Sequence, residues 1–334
     1  MYSVFERTKR MKNRRIIAML AGAGANFILG FNFILEKKIN GIEGISPTPL
    51  IILAYQCTVC VIVMALCIPF VKPDFSKFRS LGRKKLLPIL FMGMCDPLLF
   101  YIGTHYAIQN GASSLYVSIM VAIMPVFALI FGAIFLKEFP TVLQIIFSIV
   151  SVIGVVVYTG IAARHSSEAA GVISVPVILF LLLTVAAGVG YGMLTRKASV
   201  DLTSFERTFG CFLCAAVMID LLAVCTNLSD LSAIAAPLAS PEFIVCILLY
   251  GVFAFAIEYT AYNYSMNYLQ ASQAMIFSGL STVVTFIVSM IVFPGERVDI
   301  LQKLLCVALI LAGVIGAQMF GKKEEIHENT NTKR

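Results

Sequence analysis

Tyr101-Ile102-Gly103-Thr104-His105-Tyr106 returns later in the chain as Tyr259-Thr260-Ala261-Tyr262-Asn263-Tyr264, with tyrosines at the first and sixth places of both. The echo extends outward from there. At the same offset of 158 residues, Glu138 pairs with Glu296 and Leu143-Gln144 with Leu301-Gln302. Between them a one-residue slip matches Ala112-Ser113 to Ala271-Ser272. An offset close to half of a 334-residue chain marks a duplication of two large halves, which rules out a short-period solenoid.

Composition places those halves in a membrane. Hydrophobic residues make up 59% of the chain and charged residues only 13%, where soluble domains carry roughly 25% charged. Mean hydropathy is +0.92. The apolar residues fall in blocks long enough to cross ~30 Å of hydrocarbon as helices. The expected spans are 16–35, 50–71, 86–108, 113–136 and 142–161, then 173–194, 205–226, 242–264, 271–293 and 300–320. The sequence thus predicts an all-α membrane protein of ten transmembrane helices. Its expected parts are a solvated segment 1–15, a first five-helix unit 16–161, an outer polar linker 162–172, a second unit 173–320 and a solvated tail 321–334. The first span is too long for a signal-peptide core and lacks a small-residue cleavage site.

Basic residues set the expected orientation. With the N-terminus inside, the inner segments hold 19 Lys and Arg and the outer ones 5, with Arg207 at the start of the seventh span completing the 25. Both termini are therefore expected in the cytoplasm, with the chain multi-pass in the cell membrane. The net charge of +7 then reports orientation and contact with anionic lipid headgroups, and nucleic acid is not called for. A repeat with an odd number of helices starts its second copy on the opposite face of the bilayer. Two inverted five-helix repeats are expected to enclose a substrate site near the midplane, as in secondary transporters.

The chain also resembles the drug/metabolite transporter superfamily, in its EamA-like ten-helix branch. The resemblance rests on Gly30-Phe31-Asn32-Phe33…Lys37 and on Met124-Pro125-Val126-Phe127…Leu136-Lys137-Glu138…Gln144…Gly154-Val155. The second half repeats the latter as Gly295-Glu296…Gln302…Gly313-Val314. Three positions depart from the pattern: Gln56 in place of a basic residue, no proline near Val283-Val284, and Phe147 in place of glycine. What the resemblance implies is a carrier, usually an exporter of amino acids or other small metabolites and drugs.

Polar residues at membrane depth are expensive and normally face protein or a wet cavity. Two carboxylates stand out. Asp96 precedes Pro97, which removes a helical hydrogen bond and is expected to kink the third span. Glu258 aligns at the 158-residue offset with Phe100, one turn from Asp96 on the same face. Both are expected to project into one central space and bind a coupling proton or cation, or a substrate ammonium group; packing acids are the structural alternative. Burial disfavours a charged carboxylate, which suits reversible protonation. Asn26, Asn32, Gln56 and Tyr191 are expected to line the same space, with interhelical hydrogen bonding as the alternative. On 3.6-residue geometry the Asp96 stripe continues through Phe100 and Gly103, and Tyr262 beside Glu258 reads equally as a ring stacking on substrate or as a packing aromatic.

The remaining polar positions carry blander expectations. His105, half a helical turn from Asp96, reads as structural. Glu206-Arg207 reads as a snorkelling ion pair, and Glu138 and Glu296 as helix caps. Tyr158 and Tyr250 read as interfacial belt residues. Gly22, Gly24, Gly188, Gly190 and Gly192 read as close-packing points, and Asp220 receives no role. The nine cysteines read as buried small hydrophobes despite the Cys57–Cys60 and Cys211–Cys214 spacings. There is no phosphate-cradling loop and no nucleophile–base pair, so neither an enzyme nor a cofactor is expected. The expected partners are a small-molecule substrate, a proton or cation and membrane lipid, with a homodimer left open. A lipid or lipid-linked-sugar flippase and a non-transporting receptor or scaffold stand as alternatives. A carrier calls for a laterally closed polar pocket, a flippase for a lateral opening, and a scaffold for a filled interior.

Overall fold

The computed structural model describes residues 2–80, 82–131, 133–134, 140–169, 174–198, 202–269 and 277–320, and every element among them is helical. In the first half these are α1 (Tyr2–Asn40), α2 (Pro49–Val71), the short α3 (Ser76–Ser80), α4 (Gly82–Gly93), α5 (Phe100–Gln109), α6 (Ser114–Ala122), α7 (Met124–Phe131) and α8 (Val142–Ala169). The second half holds α9 (Val175–Ala198), α10 (Ser204–Thr226), the short α11 (Ser232–Ala235), α12 (Pro241–Leu249), α13 (Glu258–Tyr268), α14 (Ser278–Val292) and α15 (Ile300–Met319). Among the described residues, eight helical stretches are long and apolar enough to cross a membrane. Two further apolar helices, Val142–Tyr158 and Ser278–Val292, are shorter over the described residues.

The distribution of polarity is that of a protein dissolved in lipid. Large apolar side chains face outward, Phe70 being 86% exposed, while Glu36, Gln56, Asp96, His105, Arg207 and Glu258 are buried inside. With no water in the hydrocarbon, outward apolar faces cost nothing and interior polar groups must find partners within the bundle. The chain is a multi-pass membrane protein.

Two irregularities sit at matching places in the two halves. Between α4 and α5 the backbone opens into a wider π-type turn over Met94–Leu99, and between α12 and α13 it does so over Tyr250–Ile257. Such turns leave backbone groups out of the regular ladder and cluster at functional sites. In the first, Asp96 is extended (φ −149°, ψ 112°), as expected of a residue whose α conformation is disfavoured by a following proline. Asp96 therefore does not continue the helical stripe through Gly103 that 3.6-residue geometry suggested.

Interhelical contacts pair the halves reciprocally. Helix α8 runs antiparallel to α15: Thr141 Oγ1 donates to the Phe320 carbonyl at 3.0 Å, Phe147 stacks on Phe320, and a Cβ at Gly313 would lie 2.5 Å from the Ser151 nitrogen. Gly154 packs equally tightly on Ile310, so the glycines of the two motif copies are the points of closest approach. Helix α2 runs antiparallel to α10, with Thr58 donating to Asp220 at 3.0 Å and, past the end of α2, the Asp74 N–H donating to Glu206 at 2.9 Å and Phe78 of α3 beside Gly210. Asp220 is thus an acceptor between helices. Helix α5 lies antiparallel to α9 through Thr184 on the Phe100 carbonyl and Tyr106 on Phe180. Helix α1 runs antiparallel to α13 and parallel to α14, where Thr285 Oγ1 donates to the Gly30 carbonyl at 2.9 Å.

The expected solvated segment 1–15 is helical from Tyr2 with Asn13, Arg14 and Arg15 exposed, and α8 extends to Ala169, so most of the expected linker 162–172 is helical as well. Several other local expectations are corrected. Tyr158 and Tyr250 are fully buried, Tyr158 stacking on Tyr116 and Tyr250 bonding to Glu36, so neither is a belt residue. Thr141 caps α8, accepting from the Gln144 N–H while Gln144 Oε1 accepts from the Thr141 N–H. Glu138 and the Glu296 side chain lie outside the described residues. Gly24 has no neighbouring atom within 4 Å and is not a packing point, whereas Gly22, Gly188 and Gly190 are. Cys225 is exposed, but Cys57, Cys60, Cys211, Cys246 and Cys306 are buried.

Candidate functional site

A small cavity of about 60 Å³ lies at the centre of the bundle, between the two halves. The first half contributes Asn26, Asp96, Phe100, Tyr101 and Met124 to its lining, and the second contributes Gly188, Tyr191, Glu258, Tyr259 and Tyr262. Both carboxylates singled out in the sequence therefore meet in one space. Among the described residues lining it there is no Lys, Arg or His.

Each acid is held by the opposite half. Asp96 Oδ1 accepts a hydrogen bond from the Tyr259 hydroxyl, and its backbone carbonyl accepts from Cys211 Sγ at 3.6 Å. Glu258 Oε2 accepts from Asn32 Nδ2 at 2.5 Å. The proline-induced break turns Asp96 inward, and the widened turn just before Glu258 does the same for α13. Aromatic rings form the walls, Tyr191 meeting Tyr259 edge-on at 5.5 Å and lying 6.2 Å from Tyr262. A ring face and a carboxylate together favour a cationic group.

The other sequence candidates separate. Asn26 lines the cavity with its amide turned back to the Gly22 carbonyl at 2.9 Å. Tyr191 lines it while its hydroxyl donates to Asn263 Oδ1 at 3.2 Å. Gln56 stands apart from the cavity, 3.3 Å from His105 Nε2 in a second polar cluster nearer the Asn40 end of α1.

That cluster is built on Glu36, which sequence reading passed over. The expected first span stops at residue 35, just short of it, but α1 continues to Asn40 and Glu36 is fully buried. Thr104 Oγ1 and the Tyr250 hydroxyl both donate to Glu36 Oε1 at 2.9 Å, and His105 Nε2 lies 3.9 Å from the same oxygen. The available signal was spacing: Glu36 follows Asn32 by four residues, on the same helical face.

At the other end of the chamber Arg207 is also fully buried, against the expectation of a snorkelling ion pair with Glu206. Glu206 completes the capping box of α10 with Thr203 and pairs with Lys77 at 3.0 Å. Arg207 points inward, donating to the Asn263 carbonyl at 2.6 Å, Asn267 Oδ1 at 2.8 Å and the Thr195 carbonyl at 3.4 Å. The interior needs polar anchors where helix ends leave carbonyls unpaired, and an arginine supplies five donors.

Comparison with known proteins agrees with this architecture. The model of the EamA-like transporter family matches residues 16–160 and again 175–318, the two halves described above. A Bacillus subtilis (strain 168) protein called "Uncharacterized transporter YcxC" is 24% identical over 314 residues, covering 92% of this chain and 95% of its own. A crystal structure of a protein 15% identical in sequence shares the fold, with a TM-score of 0.63 over 91% of this chain and 97% of that one.

Proposed function

Because the chain belongs to the EamA-like transporter family and is a membrane transporter, we propose that it is a secondary active carrier exporting amino acids or other small metabolites or drugs. Transport runs by alternating access and is coupled to a proton or cation. The observation that carries this is the central cavity, into which Asp96 and Glu258 project from opposite halves with no basic side chain among the described residues lining it. Asp96, Glu258, Tyr262, Tyr191 and Phe100 form the substrate or coupling-ion site, and Asn32 positions Glu258. An acidic chamber walled by aromatic rings suits an ammonium group, whether of an amino acid or of a cationic drug.

The two halves are read as five-helix repeats of inverted topology, with both termini cytoplasmic in the cell membrane. What supports this is the reciprocal antiparallel pairing of α2 with α10 and α8 with α15, and the matched irregular turns before α5 and α13. Such a pair can exchange shapes to open on either side. A scaffold would have a filled interior; the chamber favours a carrier over it.

Counterflow in proteoliposomes against a panel of amino acids and cationic drugs tests the reading. Asp96→Asn and Glu258→Gln each reduce flux or coupling by about tenfold or more, the loss of a charge-assisted contact of about 1.5–3 kcal/mol. Wild-type coupled flux in both variants would refute the assignment.

A further inference from the structure

Glu36 and its neighbours form a second buried polar cluster that the central chamber does not use. From its geometry we infer that Glu36 is a separate proton-binding site, which exchanges its proton with the compartment facing the Asn40 end of α1. The inference rests on the carrier reading for its role in transport but not for its existence.

The hydrogen bonds divide unevenly between the two carboxyl oxygens. Oε1 accepts from Thr104 and from Tyr250, both at 2.9 Å, whereas Oε2 is buried with no partner among the described residues. With the carbonyl at Oε1 and the proton on Oε2, a neutral acid leaves one hydroxyl donor unmade, whereas an ionised one would leave a charged oxygen unsolvated; the second costs more, so the arrangement favours the neutral acid. A buried carboxylate would instead need donors or a cation around both oxygens.

Among the described residues no permanent cation contacts the Glu36 carboxyl. Of the lysines next in sequence, Lys38 pairs with Glu242 at 2.9 Å and Lys37 lies over the Phe293 ring at 4.2 Å. From α5 the titratable groups facing Glu36 are His105 and Tyr101; α2 offers only the uncharged Gln56. The turn before α13 offers Tyr250, and Glu258 and Asp96 lie farther in, across the chamber.

His105 is held neutral by a chain of hydrogen bonds whose direction is fixed at its outer end. Gln109 Nε2 donates to the Pro47 carbonyl at 2.9 Å and to Asn40 Oδ1 at 2.8 Å. Asn40 Nδ2 therefore donates to the Glu36 backbone carbonyl at 2.7 Å and to His105 Nδ1 at 2.9 Å. With Nδ1 accepting, the ring proton sits on Nε2, directed at Gln56 Oε1 and Glu36 Oε1. Gln109 is exposed, so this chain leads from the surface to the buried acid. On the inner side Glu36 stands one turn above Asn32, the residue that holds Glu258.

Infrared difference spectroscopy on the purified protein in lipid nanodiscs reads the site without transport. The wild type shows the C=O band of a protonated carboxyl that Glu36→Gln removes and Asp96→Asn leaves. Tyr250→Phe and Thr104→Val, which keep the side-chain shape, move that band to higher frequency by removing a donor to Oε1. In proteoliposomes Glu36→Gln keeps substrate counterflow but loses its dependence on the pH of the compartment facing Asn40. A band unchanged in Glu36→Gln overturns the inference, as does its disappearance on adding sodium at constant pH, which would make the ligand a metal cation. Absent counterflow in the wild type, with the Glu36 band present, would instead overturn the carrier reading alone.

Discussion

Glu36 and Arg207 are both fully buried, lie at opposite ends of one bundle, and are treated oppositely by their surroundings. Glu36 is met by hydroxyl groups on a single oxygen. Arg207 is met by acceptors belonging to the C-terminal parts of two helices, Thr195 on α9 and Asn263 and Asn267 on α13. The reason is chemical. A glutamate can shed its charge by taking a proton, whereas an arginine stays charged at any pH a protein meets. The guanidinium must therefore be solvated permanently, and helix C-termini, carrying partial negative charge, do so without a carboxylate. One end of the chamber is tied by a fixed charge and the other by an adjustable one.

The largest effect should come from removing the fixed tie. Arg207→Ala leaves two buried acceptors and one half-buried one unmade, the buried ones worth about 1–3 kcal/mol each, and the thermal unfolding midpoint in detergent should fall further than for any other single change discussed. Loss of stability no greater than that of an exposed lysine-to-alanine control would end the comparison. Glu36→Ala strands the hydroxyl of Tyr250, while Thr104 keeps the Tyr101 carbonyl at 3.1 Å, and should cost about 1–3 kcal/mol in the same assay. Glu36→Gln keeps an acceptor in place of Oε1 and carries no charge; its unfolding midpoint should shift by the equivalent of no more than about 1 kcal/mol. A large loss for glutamine but not for alanine would show that Glu36 is ionised in the folded state.

The smallest effect belongs to the loop after α2, where an acid lies in water. Ser76 donates to the Asp74 carboxylate and holds it below the ordinary aspartate value of 3.8. A depressed folded value means that this contribution is present above 3.8 and fades as the pH falls through the lower folded value. Asp74→Asn should flatten that acid limb slightly while leaving stability at neutral pH nearly unchanged. An acid limb identical to wild type would remove Asp74 from the account.

Asp96 was legible because an acid before proline inside an apolar block has few bland explanations, and Glu258 because the repeat offset set it opposite. Glu36 was hidden by its neighbours: Glu36-Lys37-Lys38 looks like a solvated rim unless the helix is known to run on to Asn40. Arg207 was hidden in the same way, since a charged pair opening a span is usually at the interface. Tyr158 and Tyr250 show the reverse error, an interfacial position inferred for rings that the bundle covers.

The sequence alone determined the membrane, the two-part organisation and the carboxylates worth examining, because hydropathy, repeat spacing and an acid's cost in hydrocarbon are properties of residues in order. Only the tertiary structure decided which polar groups share a space, that Glu36 and Arg207 turn inward, and which oxygen of each acid is satisfied. Those facts depend on the rotation of each helix about its axis. That rotation is set by contacts such as Gly313 on Ser151 and Thr285 on the Gly30 carbonyl, between residues far apart in the chain.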